Sequence, residues 1–362
     1  MATPSSQRLV SLDALRGFDM CCILGLTATV DAILRRFLPA SRVTATLAEQ
    51  FTHVPWAGLH FEDLIFPLFL FISGAAMAFS VPKRLAREGR AAVIRHLLLR
   101  AAMIFALGVI YSGGLSRGWD QVRWLGVIQR IGIASAAAGL LSLWLGTRGL
   151  LVVTAALLVS YWALLAFVPV PGFGAGDFAE GHNLANYVDS LWLPGRKYDG
   201  DHDPEGILST LPAIGTALLG LVAGSWLSRD LEPRRKVAGL LAAGIVLLVA
   251  GWAWHPFFPV VKKLWSSSFV LVTAGWSAVL LAAFYWIVDV RGFRRWCEPF
   301  VWVGANPITL YLAAGMGAFR TVSQRLVGPL PPDWAWVGTA TTFALVLVTA
   351  RWLSRRGIFL RV

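Results

Sequence analysis

Long apolar stretches recur along the whole chain, and they constrain its fold more than any other feature. An apolar stretch of about 20 residues is long enough to cross a bilayer as a helix. Ten such stretches are predicted, at about 16–34, 62–81, 97–114, 125–145, 149–169, 206–227, 237–255, 268–289, 300–318 and 334–352. The chain is 57% hydrophobic and only 14% charged, whereas soluble domains carry about 25% charged residues. The sequence therefore predicts an all-α, polytopic transmembrane helical bundle, organised as one integral-membrane domain over residues 1–362.

The distribution of charge between the predicted spans indicates a topology. If the N-terminus is cytoplasmic, the inner segments carry far more Lys and Arg than Asp and Glu, and the outer segments do not. This asymmetry is typical of an N-in, C-in protein. It places two long loops outside, at about 35–61 and 170–205, and predicts a multi-pass protein of the cell inner membrane with lipid around it. It also explains the net charge of +12 without nucleic acid as a partner.

Neither a metal nor a disulfide framework is expected. Cys21, Cys22 and Cys297 have no metal-ligand spacing. The stretch that begins at Asp199 resembles a calcium loop, but Pro204 stands where such a loop needs glycine.

Ionisable residues within or beside apolar spans are costly and indicate function. Asp13 and Arg16 are three residues apart, so on a helix they share a face and can pair. Gln129 and Arg130 form a donor-rich turn suited to an anion. Asp289 and Arg130 lie near predicted span ends, where long side chains often reach the interface.

His53 offers the best acid–base chemistry, because a neutral imidazole accepts a proton near pH 7. Asp63 follows ten residues later and is placed to orient the ring, while His60 is a rival for the same carboxylate. The outer loop before the sixth span is acidic and includes Asp203 and Glu205. Such a loop attracts a cationic amine, although a merely solvated loop has the same composition.

Several motifs resemble those of the transmembrane acetyltransferases typified by heparan-α-glucosaminide N-acetyltransferase. In chain order they are Arg8-Leu9-Val10-Ser11-Leu12-Asp13-Ala14-Leu15-Arg16-Gly17, His53-Val54-Pro55-Trp56-Ala57-Gly58-Leu59, Asp63-Leu64-Ile65-Phe66-Pro67, Gly126-Val127-Ile128-Gln129-Arg130-Ile131-Gly132, Asp203-Pro204-Glu205-Gly206-Ile207-Leu208 and Gly304-Ala305-Asn306-Pro307. They extend over roughly residues 8–315.

The resemblance implies transfer of acetyl from cytosolic acetyl-CoA, a co-substrate, to the amine of a glucosamine-type sugar or glycan outside. It implies His53 as the general base and Asp63 as its partner. We add Asn306 as a candidate oxyanion donor, and Arg16, Gln129 and Arg130 as candidates for the CoA anion. Trp56, Asp203 and Glu205 are candidates for the acceptor, and a homodimer is a candidate assembly.

Two other functions fit the same residues. Ten spans with embedded charges also suit a proton-coupled solute transporter, although no inverted repeat is evident. A sugar O-acyltransferase would use the same base on a hydroxyl group.

Overall fold

The computed structural model describes residues 9–114, 116 and 118–359; Arg8, the first residue of the opening motif, lies outside this range. The described residues form α-helices joined by short π and 3₁₀ segments, and no β-strand occurs among them. The α-helices are α1 (Val10–Cys21), α2 (Thr27–Phe37), α3 (Arg42–Glu49), α4 (Phe61–Tyr111), α5 (Val127–Leu141), α6 (Thr147–Phe167), α7 (Leu184–Trp192), α8 (Thr210–Leu227), α9 (Pro233–Trp254), α10 (Ser267–Phe284), α11 (Glu298–Ala305), α12 (Pro307–Gly315), α13 (Ala318–Val327) and α14 (Ala335–Arg355). The predicted all-α class is confirmed.

Within the described part of the chain, seven helical segments are long and apolar enough to cross a membrane. They are Val10–Phe37, Phe61–Tyr111, Thr147–Phe167, Thr210–Leu227, Pro233–Trp254, Ser267–Val290 and Ala335–Arg355. The chain is thus a multi-pass membrane protein by length and composition. The count of ten spans and the N-in, C-in orientation stay predictions.

Helix α4 contains two of the predicted spans and folds back on itself at Gly89. The backbone there has φ 77° and ψ 168°, which is not helical and favours glycine. Met77 precedes this kink and Leu97 follows it, yet both approach the same position, Gly139 of α5. A straight helix would hold them about 30 Å apart, so the two halves of α4 run antiparallel along α5. The charged residues from Lys83 to Arg95 occupy the bend and are mostly exposed.

Two other predicted spans take a different form. The stretch predicted at 125–145 is α5, an apolar helix of 15 residues, which is shorter than an ordinary span. The stretch predicted at 300–318 is divided into α11 and α12 at Asn306, whose backbone has φ −133° and ψ 50°. Pro307 follows at the first position of α12, where its missing N–H costs nothing.

Contacts divide the chain into two compact units, which the chain enters more than once. Among the described residues, the first contains 9–54, His60–Ile65 and 283–359; the second contains Pro55–Leu59 and Phe66–Ala282. The prediction of a single domain stays a prediction.

In the first unit, α1 and α11 cross with their backbones in contact. A Cβ added to Gly17 would lie 1.6 Å from the carbonyl oxygen of Phe300, and one on Gly304 would lie 2.4 Å from that of Asp13. Small residues permit this approach between apolar helices. The N-terminus of α1 is capped by Asp289, whose carboxylate accepts hydrogen bonds from the backbone N–H groups of Val10 and Ser11 at 3.2 and 3.1 Å.

In the second unit, an aromatic and aliphatic core joins α6 and α7 to the segment before α10. Tyr161 is fully buried there, and its hydroxyl donates to the carbonyl of Leu264 at 2.7 Å. A buried hydroxyl needs such a partner. This core supports the loop between α6 and α8, which contains α7 and the acidic residues described below.

Candidate active site

The first candidate site lies in the first unit, between α3 and α4, and it pairs His53 with Asp63. The His53 Nδ1 atom is 2.9 Å from the Oδ1 atom of Asp63. The two side chains have opposite environments: that of His53 is 58% exposed and that of Asp63 is 1% exposed. An accessible imidazole is thus supported from behind by a buried carboxylate.

The local sequence holds Asp63 in this position. It is the third residue of α4, and its Oδ2 atom accepts from the backbone N–H of His60, just before the helix, at 3.1 Å. This is the acidic half of a capping box. The same oxygen accepts from the backbone N–H of Val54 at 3.2 Å. Helix α4 therefore fixes the carboxylate, and the carboxylate fixes the loop that carries His53.

The hydrogen-bonding pattern sets the tautomer of His53. An ionised carboxylate only accepts hydrogen bonds, so Nδ1 carries the proton that it shares with Asp63. The lone pair is then on Nε2, which is the nitrogen able to accept a proton from a nucleophile. The rival His60 is used elsewhere, because its Nδ1 lies 2.9 Å from the carbonyl oxygen of Thr52.

Two other predicted residues of the first unit have structural partners. Arg16 pairs with Asp13 at 3.5 Å, as their spacing predicted. Asn306 is fully buried, and its amide donates to the carbonyl of Ile358 at 2.9 Å, beyond the end of α14. Their roles toward CoA and the oxyanion stay predictions.

Asp19 of α1 is a further buried acid of this unit. It is fully buried, and neither carboxylate oxygen has a hydrogen-bond partner in the described part of the chain. Glu62 is its electrostatic neighbour. Asp19 lies within the apolar stretch predicted at 16–34.

The second candidate site lies in the second unit and is built on Arg123. Its guanidinium grips the carboxylate of Asp203 through two hydrogen bonds, at 2.7 and 2.6 Å, and also donates to Glu205. Two parallel bonds to one carboxylate are the strongest arrangement that arginine offers. The guanidinium also lies 5.0 Å from the ring centroid of Tyr198.

Gln129 and Arg130 join the same group, which we call the acid–arginine cluster: Arg123, Gln129, Arg130, Asp189, Asp203 and Glu205. Gln129 donates to the carbonyl of Arg123 at 3.1 Å. Arg130 is 1% exposed and donates to the carbonyl of Pro204 at 2.9 Å and to the hydroxyl of Ser209. Its Nε and Nη1 atoms have no hydrogen-bond partner among the described residues.

Asp189 of α7 completes the acid–arginine cluster and explains the glycine of the Asp203-Pro204-Glu205-Gly206 motif. Its Oδ1 atom accepts from the backbone N–H of Ile207 at 2.8 Å. A Cβ on Gly206 would lie 1.8 Å from the Oδ2 atom of Asp189, so only glycine fits. The motif thus combines a carboxylate for Arg123 with a close backbone approach to Asp189.

Burial governs the ionisation of the acids that the loop between α6 and α8 contributes to this cluster. It raises the pKa of Asp189 to about 6, despite the hydrogen bond from Ile207. Burial also raises the pKa of Glu205, against the opposing charges of Arg130 and Arg123. Burial by itself would lower the pKa of Arg123, but its bond to Asp203 and the charge of Glu205 outweigh that effect and raise it.

Trp56 also belongs to the second unit. It is half-buried, its indole N–H donates to the carbonyl of Phe178 at 3.1 Å, and it packs against the core around Phe258. Two residues later, Gly58 has φ 126° and donates to the carbonyl of Val260 at 2.8 Å. The tryptophan and the glycine of the His53–Leu59 motif therefore hold the segment Pro55–Leu59 against the core of the second unit.

Comparison with known proteins agrees with these motifs. The family described as "Heparan-alpha-glucosaminide N-acetyltransferase, catalytic" matches residues 8–253, more than half of the chain. The chain belongs to this family. It is 29% identical over 329 residues to the human heparan-alpha-glucosaminide N-acetyltransferase and 29% identical over 326 residues to the mouse protein. Each alignment covers 72% of this chain and 48% of the relative, so the chain spans about half the length of the curated relatives it matches.

The structure brings together residues that the sequence analysis had assigned to different substrates. Gln129 and Arg130, predicted for CoA, lie in one cluster with Asp203 and Glu205, predicted for the acceptor. Arg123 and Asp189 were missed. Arg123 precedes the Gly126–Gly132 motif by three residues. Its positive charge, in a chain whose loop before α8 is acidic, was the available signal.

Proposed function

We propose that this chain is a transmembrane acetyltransferase that moves acetyl from cytosolic acetyl-CoA to the amine of a glucosamine-type sugar on the extracytoplasmic side. Family membership supports the reaction class. The observation that carries the proposal is the pairing of an exposed imidazole, His53, with the buried carboxylate of Asp63.

His53 acts as the general base in this mechanism. As the amine attacks the thioester carbonyl, a C–N bond forms and His53 Nε2 takes the proton that the nitrogen loses. Asp63 stabilises the imidazolium through the Nδ1 proton. When the tetrahedral intermediate collapses, the C–S bond breaks, and His53 returns the proton to the departing thiolate to give free CoA. A substrate that arrives as an ammonium ion releases one further proton to solvent.

The oxyanion of the intermediate requires a hydrogen-bond donor. We propose the amide of Asn306 for this role, since an amide nitrogen is a hydrogen-bond donor. An acetyl-His53 intermediate is a covalent alternative to direct attack.

The polyanionic CoA needs cations. The segment from Lys83 to Arg95 lies exposed at the bend of α4, and Arg291, Arg294 and Arg295 are exposed after α10. Arg16, Gln129 and Arg130 are the further candidates for the CoA anion. Arg130 uses only Nη2 for the outer loop, which leaves Nε and Nη1 for an anion. Arg130→Ala should weaken CoA binding, and an unchanged affinity would remove Arg130 from this role.

For the acceptor, we propose that Trp56 offers an aromatic face to a sugar ring, as aromatic side chains present a flat apolar surface beside a polar group. Asp203 and Glu205 are buried and bonded to Arg123. Their contribution is therefore the shape of the acceptor loop.

The test offers acetyl-CoA to the purified protein in detergent with a panel of amino sugars and glycan fragments, and measures free CoA thiol and acetylated product. An alkali-stable amide on glucosamine supports the proposal. An alkali-labile ester would instead show O-acylation. Solute uptake into sealed vesicles without CoA release would identify a transporter.

A further inference from the structure

A second group of ligand-type side chains lies in the outer loop between α6 and α8, apart from the residues used above. Its members are Glu180, Asp199 and His202, and their ligand atoms all lie within 4.8 Å of one another. His202 Nε2 is 3.8 Å from Glu180 Oε1 and 4.0 Å from Asp199 Oδ2. One imidazole nitrogen and two carboxylates thus converge on one point.

The ring of His202 is held with a nitrogen directed at this point. Its side chain is only 7% exposed, and Nε2 has no hydrogen-bond partner among the described residues. Its Nδ1 lies 2.6 Å from the carboxylate of Asp201, which accepts the Nδ1 proton. In the neutral ring the lone pair therefore lies on Nε2 and faces two carboxylates, an arrangement that a proton on Nε2 or a bound cation stabilises.

A cation from the chain already stands beside this group. The ammonium of Lys263 contacts Glu180 Oε1 and lies 3.2 Å from Asp199 Oδ2. Lysine carries only donors, so it compensates the carboxylates. The single charge of Lys263 balances only part of the charge of the two carboxylates. A divalent ion would balance both charges and would also bind His202 as a ligand.

We propose that Glu180, Asp199 and His202 form a zinc-class divalent cation site, and that the metal displaces the ammonium of Lys263 from the carboxylates. Zn²⁺ takes imidazole nitrogen and carboxylate oxygen in a tetrahedron with bonds of about 2.0 Å, which places neighbouring ligand atoms about 3.3 Å apart. The present separations of 3.8 and 4.0 Å need contractions of about 0.5 and about 0.7 Å. Water would supply the fourth ligand.

The bound metal would tie together two parts of the outer loop that flank α7. Glu180 precedes α7, whereas Asp199 and His202 follow it in the turn that ends at Asp203. Asp203 is the carboxylate that Arg123 holds. The site is therefore placed to stiffen the loop that carries the acid–arginine cluster, and this role depends on no step of the acetyl transfer.

The experiment titrates the purified, chelator-treated full chain with Zn²⁺ by calorimetry and follows tetrahedral Co²⁺ absorption as a second probe. One site is expected. Asp199→Asn, which keeps the shape of the side chain, and His202→Ala should each weaken binding at least tenfold. Lys263→Met removes the competing ammonium and should tighten binding at least tenfold.

The matched control is His182→Ala. His182 lies in the same loop and pairs with Asp177 at 2.9 Å, but it is not one of the three residues whose ligand atoms converge. The affinity of this variant for Zn²⁺ should equal that of the wild type. The proposal is overturned if Asp199→Asn binds like the wild type while remaining monodisperse, if Lys263→Met leaves the affinity unchanged, or if no Zn²⁺ binds at all.

Discussion

The His53–Asp63 pair and the acid–arginine cluster both join ionisable groups, but they differ in access to solvent. In the pair, the acid is buried and the base is 58% exposed. In the cluster, Arg130, Asp189, Asp203 and Glu205 are all buried, and Arg123 is 22% exposed. One arrangement leaves a titratable nitrogen accessible, and the other encloses its charges.

Solvent access explains how the same residue types serve two purposes. A proton-transfer group must reach its substrate and change charge during turnover, so its ring must be accessible. A buried ion cluster is costly to break, because removal of one partner leaves the others uncompensated. We therefore expect substitutions in the pair to affect chemistry and substitutions in the cluster to affect folding first.

The largest effect is expected from His53→Ala. Loss of a general base costs about 10²- to 10⁴-fold in rate, so acetyl transfer measured by CoA thiol release should fall by that factor. CoA binding should persist. His60→Ala is the matched control, since its ring pairs with the backbone carbonyl of Thr52 and not with the carboxylate of Asp63. Normal turnover by His53→Ala would reject the assignment.

Arg123→Ala should act on stability. It leaves two buried carboxylates, Asp203 and Glu205, without their main partner, and breaking a buried ion pair costs about 3–5 kcal/mol. The apparent Tm of the detergent-solubilised protein should drop by several degrees more than for Arg87→Ala, whose side chain is 79% exposed. Equal melting temperatures would show that the acid–arginine cluster contributes nothing to folding.

The stability of the folded protein should depend on pH through Asp189 of the acid–arginine cluster. Burial raises the pKa of Asp189 to about 6, whereas an unfolded Asp titrates near pH 4. The folded protein thus binds this proton more tightly than the unfolded chain does. The stability contributed by protonated Asp189 is fully present below about pH 4 and is lost as the pH rises through 6. The difference is on the order of 3 kcal/mol.

Asp189→Asn removes this titration. Its apparent Tm relative to the wild type should rise between about pH 4 and pH 7. Asp177→Asn is the comparison of opposite sign, because the backbone N–H of Ala179 and the ring of His182 lower the pKa of Asp177. The stability that the Asp177 carboxylate contributes is lost as the pH falls below about 4. A flat profile for Asp189→Asn would mean that this carboxyl titrates normally.

The smallest effect is expected at Trp56. Trp56→Phe keeps an aromatic face but loses the N–H that donates to Phe178, so KM for the amino sugar should change less than about threefold. Trp56→Ala should raise KM about tenfold, the equivalent of about 1.4 kcal/mol. Trp192→Ala, at an exposed position of α7, is the control. Equal KM values for Trp56→Ala and the wild type would leave Trp56 with only its anchoring role.

The fold class and the His53–Asp63 pair could be predicted from the sequence for local reasons. Apolar length determines that a segment forms a membrane-type helix. Asp63 stands in the first turn of a helix, where a carboxylate caps backbone N–H groups. The choice between His53 and His60 was open from residue types alone, and the backbone of the loop resolved it.

The acid–arginine cluster could not be predicted in this way, because its members come from α5, α7 and two loops. The local sequence around Arg123 does not indicate a partner 80 residues away, and that around Asp189 does not indicate one 14 residues away. The break at Asn306 was likewise hidden within an apolar run, whereas the charged stretch around Gly89 did separate two predicted spans. Helical periodicity does not record where two helices approach closely.

The membrane-helical class and the acetyltransferase family can be inferred from the amino-acid sequence, because apolar length and short motifs are properties of contiguous residues. Which charged side chains contact one another depends on the tertiary structure. Burial and distance, rather than residue type, made one imidazole accessible, enclosed two arginines with three acids, and directed His202 at two carboxylates beside Lys263.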